Sequence, residues 1–256
     1  MSVLRHAWAM TAALGRHSGL LAAITRVELK KRYAGSVLGP AWLVLQPVLL
    51  LSVYLFVYLV VFKVRFPGFS QLDFVLFVFA GLVPFIGANE AINGAVLSIK
   101  ANMHLVKNVM LPVDLVPVRT VMVALTGEAV SLALVIVLAL WNDSLGLGVI
   151  ALPIAIVLQA LALLGLAWIL AGLGVALPDA SYFVNLTMFL LMFVSPVAFK
   201  PDMVPSSFLA MVYGNPVFYM LETFRDCLIA GRVPDPRIWG IFAALSIGVF
   251  TIGAGA

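Results

Sequence analysis

The chain has 256 residues, 64% of them hydrophobic and only 10% charged, whereas soluble domains carry roughly 45–50% apolar and about 25% charged residues. No water-soluble fold can hide that much apolar surface, so an integral membrane protein is expected. The formal charge of +4 lies in Lys and Arg at the edges of apolar runs, without the basic, aromatic-studded face of a nucleic-acid module, and no nucleic acid is expected as a partner.

Residues 1–36 hold Arg5, Arg16, Arg26, Lys30, Lys31 and Arg32 without a long apolar core. They read as a cytoplasmic N-terminus rather than a signal peptide. Within it Leu20, Leu21, Ile24 and Val27 recur at helical spacing among Arg26, Glu28, Lys30 and Arg32. That pattern predicts an amphipathic helix lying in the interface, its cations against anionic lipid headgroups.

Residues 37–256 form the expected six-helix transmembrane domain, since a helix needs about 20 mostly apolar residues to cross the hydrocarbon layer. The six apolar stretches are 37–62, 74–97, 116–140, 148–177, the shorter 183–199, and 238–256. Lys and Arg crowd the segment before the first stretch, and Lys100, Lys107 and Arg119 flank the second connection. The positive-inside rule then places both termini in the cytoplasm. On the first stretch Trp42, Gln46, Leu50, Tyr54 and Tyr58 recur every fourth residue. Such a stripe either stacks on sugar rings or anchors the helix at the two membrane surfaces. Just before it, Gly35-x-x-x-Gly39 is a weak signal for close helix packing.

Residues 98–112 are a polar break, long enough for a helix of two or three turns closed by Pro112, and they read as a docking element. Residues 200–237 mix apolar residues with five prolines. There Asn215-Pro216 makes a helix start and Gly231 a helix end. Val217, Phe218, Leu221, Phe224 and Leu228 form an apolar stripe, with Glu222, Arg225 and Asp226 off it and spaced to pair. Two acids fall inside spans, Glu90 and Glu128. They read either as part of a translocation path or as groups buried between helices, and the second is favoured because no basic partner lies at their depth. Arg119 reads as a topology anchor.

Absences narrow the function. No G-x-x-x-x-G-K-[ST] loop occurs, so the chain is not expected to hydrolyse nucleotide or act as an enzyme. His6, His17 and His104 lie outside the spans, which leaves no expected catalytic or metal site. Cys227 is the sole cysteine, excluding an internal disulfide.

Several fragments, in order, resemble one family. They are the run from Glu28 through Trp42 with Gln46-Pro47, then Ala80-Gly81-Leu82-Val83-Pro84-Phe85, then the stretch from Asn102 to Pro112. Ser195-Pro196-Val197, Met203-Val204-Pro205, Asn215-Pro216 and Glu222-x-x-Arg225 follow. Over residues 26–232 the chain is similar to the membrane subunit of type-2 ABC exporters, in the branch that moves polysaccharides such as O-antigen, capsule and teichoic acid. The resemblance implies a homodimer paired with two ATP-binding cassette subunits, in a bacterial inner membrane. No cofactor is expected on this chain, ATP and Mg being held by the partner subunits. It implies ATPase-subunit contacts at Arg26, Glu28, Lys30, Lys31, Arg32, Lys100, Asn102, His104 and Lys107. A path for a lipid-linked glycan would be lined by Trp42, Gln46, Tyr54, Tyr58, Phe189 and Phe193. Short gate helices on the periplasmic side would include Pro205, Asn215, Pro216, Glu222 and Arg225. The chain departs from the family in the loop after the fourth stretch, where Leu177-Pro178-Asp179 keeps only the acid of the usual basic–acidic pair. The alternatives are a related permease for a small hydrophobic compound or lipid, and a membrane-embedded enzyme or scaffold.

Overall fold

The computed structural model describes residues 10–12, 15–61, 70–103, 112–229, 232 and 234–255, with side chains left out at 58 and 59. Among them every regular element is helical. Helix α1 (Ser18–Arg32) ends in Lys30, Lys31 and Arg32, cations that suit the carbonyl-rich end of a helix. Its apolar side is only partly free for lipid. Leu21 is buried and packs with Ile24 against Leu115, Val118 and Trp168, while Leu20 and Val27 stay exposed.

Gly35 and Gly39 follow at φ 81° and 51°, values that favour glycine. Among the described residues a Cβ on either would meet nothing within 4 Å, so within this chain the pair serves to bend the backbone. Helix α2 (Trp42–Leu55) passes into a π-helical turn, Phe56–Val61.

Helix α3 (Gln71–Ala101) opens on a capping box. The Ser70 side chain accepts from the Asp73 amide, and the Asp73 carboxylate accepts from the Ser70 amide. It runs past the expected end at 97, because Ser98 to Ala101 contain no helix breaker and the Ser98 hydroxyl donates to the Ala95 carbonyl at 2.7 Å. Residues 98–101 are thus the last turn of α3 rather than the start of a separate helix.

Helix α4 (Leu115–Trp141) and helix α5 (Leu152–Ala176), the latter led by a 3-10 turn at Leu147–Ala151, run close to the expected bounds. Helix α6 (Ala180–Val194) has 15 residues and stops before Ser195-Pro196. Proline has no amide to donate and disfavours helix in the residue before it, which cuts the expected 183–199 short at its far end. Two 3-10 turns (Pro201–Met203 and Ser206–Phe208), helix α7 (Leu209–Tyr213), helix α8 (Pro216–Leu228) and helix α9 (Pro236–Gly253) complete the fold. Helix α8 ends before the expected Gly231, which lies outside the described residues.

Among the described residues, four helical stretches are long and apolar enough to cross a membrane: Gln71–Ala101, Leu115–Trp141, Leu147–Ala176 and Pro236–Gly253. The expected first and fifth spans, Gly39–Leu55 and Ala180–Val194, are shorter apolar helices. Helix α3 is the centre of the core, buried on nearly all sides and touched by α4, α5, α6 and α8. Glycine lets backbones close up around it: a Cβ on Gly174 of α5 would overlap the Val96 carbonyl of α3. Gly165 of α5 and Gly253 of α9 likewise meet backbone to backbone. This small-residue contact is how helices associate where lipid supplies no hydrophobic drive. Helices α2 and α6, by contrast, leave apolar faces open, including Val53 and Phe56 on one and Tyr182, Phe183, Leu186, Phe189 and Phe193 on the other.

Candidate functional site

Helix α8 was expected to bury one stripe. Instead every residue from Met220 to Leu228 is buried, the polar ones included. Arg225 is 0% exposed and holds three elements at once. Its Nη1 donates to Glu222 Oε1 at 2.6 Å, and its Nη2 to the Pro196 and Val197 carbonyls just past α6, both at 2.7 Å. Nε donates to the Phe77 carbonyl of α3 at 3.2 Å, and the guanidinium lies 3.7 Å from the centre of the Phe77 ring. A buried charge is tolerable only when so fully bonded. Burial pulls the guanidinium down to about 10 while Glu222 opposes it, so Arg225 is charged at neutral pH.

The chain of pairs continues outward. Arg232 donates to Glu222 Oε2 at 2.5 Å and to Asp226 Oδ1 at 3.0 Å. Asp226 Oδ2 accepts from Trp239 of α9 at 3.2 Å. At the other end of α8, Asn215 caps the helix by accepting from the Val217 amide and donates to Ser195 Oγ at 2.8 Å. The neighbouring Cys227 is buried, and burial pushes its thiol up to about 12, which leaves no nucleophilic thiolate.

This network forms one wall of an open cleft of about 830 Å3. The start of α3, the turn joining α4 to α5, and residues 200–202 form the others. Asp73 Oδ1 accepts from Asn142 Nδ2 at 2.9 Å and from Ser144 Oγ at 2.7 Å. Between those two residues Asp143 takes a φ of 50°, a conformation that aspartate accepts more readily than most.

At the opposite end of the bundle two ion pairs tie α1 to the spans. Arg32 pairs with Glu90 of α3, and Arg119 of α4 with Glu28 at 3.4 Å. Glu90 therefore has the basic partner that the sequence reading denied it, because the last turn of α1 comes back against α3. Arg119, expected as a topology anchor, is buried and paired. Deeper in, Glu128 and Gln159 are buried; Gln159 Nε2 donates to Glu128 Oε2 at 2.9 Å and to the Pro84 carbonyl at 3.0 Å. Glu128 thus lies between helices, as favoured. A Cβ on Gly87 would overlap its carboxylate. It also borders a small cavity of about 90 Å3 between α2, α3 and α4, where Gln46 and Glu90 line the same space.

A sequence match to the family described as ABC-2 type transporter covers residues 19–229, from the start of α1 to just beyond α8. The chain belongs to the ABC-2 type transporter family. Among similar proteins, the O-antigen export system permease protein RfbA of Myxococcus xanthus is 28% identical over 243 residues, covering 91% of this chain and 89% of that one. A protein of the same name from Klebsiella pneumoniae is 27% identical over 222 residues, covering 86% and 84%. The polysialic acid transport protein KpsM of Escherichia coli is 22% identical over 233 residues, covering 88% and 87%.

In this ABC-2 transporter chain the residues singled out from sequence fall into distinct places. Arg26, Lys30, Lys31 and Arg32 are exposed on α1 and Glu28 is half-buried; of these, Arg32 and Glu28 make the ion pairs to α3 and α4. Lys100 is exposed at the end of α3 and Asn102 caps it, donating to the Ser98 carbonyl. His104 and Lys107 lie outside the described residues. Trp42 and Tyr54 are half-buried, Tyr54 packing edge-on to Phe79 with ring centres 5.5 Å apart, and Gln46 is exposed. The Tyr58 side chain is not described. Phe189 and Phe193 are exposed and stack on each other at 5.1 Å. Pro205 and Pro216 are exposed, Asn215 is buried against Ser195 at the start of α8, and Glu222 and Arg225 share one buried network. Sequence reasoning missed Asp73, Asn142, Ser144 and Gln159. Only Asp73 carried a local signal, the Ser70-x-x-Asp73 capping spacing.

Proposed function

We propose that this chain is the permease subunit of an ATP-driven exporter that moves a polysaccharide or lipid-linked glycan across a bacterial inner membrane. The observation that carries the reading is the family match over 19–229 together with relatives named for O-antigen export and polysialic acid transport along most of their length. Two copies would assemble with two ATP-binding cassette subunits, which hold ATP and Mg. Six helices cross the membrane: the four long ones plus α2, extended to 20 helical residues by its π turn at Val61, and α6 with the turns after it. Both termini then lie in the cytoplasm.

Exposure of Arg26, Lys30, Lys31 and Lys100 at one end of the bundle supports docking of the ATPase there, with 98–112 as the coupling segment. The open face of α6, with Phe189 and Phe193 on it, supports its use as one wall of the path; Trp42, Gln46, Tyr54 and Tyr58 of the first span are assigned to the other wall. Closure of the ATPase subunits pushes on α1 and the coupling segment, and the Arg32–Glu90 and Arg119–Glu28 pairs pass that push to α3 and α4. At the periplasmic end, residues 200–237 act as gate helices. Because Arg225 holds α8 to α3 and to the end of α6, these move together. Reconstitution with the partner ATPase in inverted vesicles tests the whole reading. ATP-dependent glycan uptake is expected, and hydrolysis without any glycan movement overturns it.

A further inference from the structure

The outward cleft narrows the kind of glycan this exporter takes, an inference that rests on the export reading above. At about 830 Å3 it is within the size range of small-ligand sites, and it is polar in a chain that is 64% hydrophobic. Among the described residues, four of the chain's eleven carboxylates, Asp73, Asp143, Asp202 and Glu222, line it against two cations, Lys200 and Arg232. The formal balance of this described lining is two negative charges. It is sharpest at the rim, where Asp143 and Asp202 are exposed, while Arg232 and Glu222 pair with each other deeper in. The turn through Asn142 and Ser144, anchored on Asp73, adds amide and hydroxyl groups to the lining. Together these supply both donors and acceptors, as ring hydroxyls require.

We propose that the cleft walled by Asp73, the Asn142–Ser144 turn, Lys200–Asp202 and Arg232 is a contact site for neutral or amine-bearing sugar units, and that it excludes acidic ones. Like charge placed along the route of a polyanion repels it, and that repulsion gives selectivity without a tight contact. The cleft thus separates this chain's substrate from a polyanionic capsule.

The test uses the full chain in nanodiscs of a zwitterionic lipid, with saturation-transfer NMR against three heptasaccharides at low salt: neutral maltoheptaose, cationic chitosan heptamer and anionic oligogalacturonate. Neutral and cationic oligomers are expected to bind, with the anionic one at least tenfold weaker. The double variant D143N/D202K changes two exposed rim residues, asparagine keeping the positive φ that the turn needs at 143, so it leaves the packed network alone. It is expected to shrink that ratio at least fivefold or invert it. Absence of binding by all three oligomers, or a ratio unmoved by the double variant, overturns the proposal. Export of a polyanionic glycan by the assembled transporter as fast as a neutral one also overturns it while leaving the export reading intact. Loss of all glycan export removes the export reading, and the three-oligomer comparison still decides what the cleft binds.

Discussion

Arg225 carries the heaviest single-residue burden in the chain. Removing it breaks a buried ion pair and strips the donor from three buried carbonyls, while Glu222 keeps Arg232, at a cost of about 3–5 kcal/mol. Arg225→Ala is therefore expected to lower the detergent unfolding temperature sharply, read by the fluorescence of a thiol-reactive dye as Cys227 becomes accessible. Arg225→Lys keeps the charge but not the fork that reaches Glu222, two loop carbonyls and Phe77 at once, and is expected to rescue little. A lysine variant matching the native chain would show that charge alone suffices. Glu128 poses the opposite question. Glu128→Gln preserves its bond to Gln159, so near-native export is expected if the acid only fills a helix interface; abolished export in a stable protein would instead make it part of the path. The pairing of Glu222 with Arg225 was legible from their three-residue spacing. That their side of α8 is buried was not, because its cover comes from Phe77 and Pro196, 148 and 29 residues away.

Elements show the same divide between local and distant information. The long apolar runs made α3, α4, α5 and α9 readable to within a few residues, since span length and apolar content are local properties. The places where α2 loosens and α6 stops depend on Pro196 and on a π turn, which hydropathy blurs. Helix α1 was read as amphipathic from its spacing, but that spacing does not tell lipid from protein as the thing its apolar side touches. Its ion pairs give a test at this scale. Arg32 and Glu90 are each more than a third exposed, so their pairing stabilises the fold by only about 0–1 kcal/mol. Arg32→Glu is thus expected to spare stability yet lower the glycan exported per ATP hydrolysed, and the swap with Glu90→Arg is expected to restore it. Swapped and single variants of equal efficiency would separate α1 from coupling. Helix α5 offers a matched pair: Gly174→Leu drives a side chain into the Val96 carbonyl, whereas a Cβ on Gly172 meets nothing within 4 Å. Only the first is expected to cut the yield of folded protein in size-exclusion chromatography.

For the molecule as a whole, the proposed dimer is expected to use the uncovered faces of α2 and α6. Cys227 is buried and its thiol resists ionisation, so the native background is silent to oxidative cross-linking. Phe193→Cys is expected to give a covalent dimer in membranes, while Val137→Cys, equally exposed at 63% on α4, is expected to give none. Equal cross-linking at both positions would remove α6 from the dimer contact. Class and export role were legible early because composition and ordered short motifs are properties of the chain itself. The cleft was not, because its walls come from four separate segments whose meeting is a product of the fold.

The bond from Arg225 to the Phe77 carbonyl spans 148 residues, and that separation has a consequence for synthesis. At roughly 5–20 residues per second, α3 waits about 7–30 s in the bilayer before the arginine that seats it has been made. During that interval the nascent chain is an open bundle, exposed to membrane proteases and dependent on insertion factors. Ribosomes stalled before codon 225 are expected to yield chains cleared faster than chains stalled after codon 240, as pulse-chase labelling would record. Assembly of this fold therefore closes around α8, and the cleft beside that helix is complete only once Arg225 and Arg232 have been made.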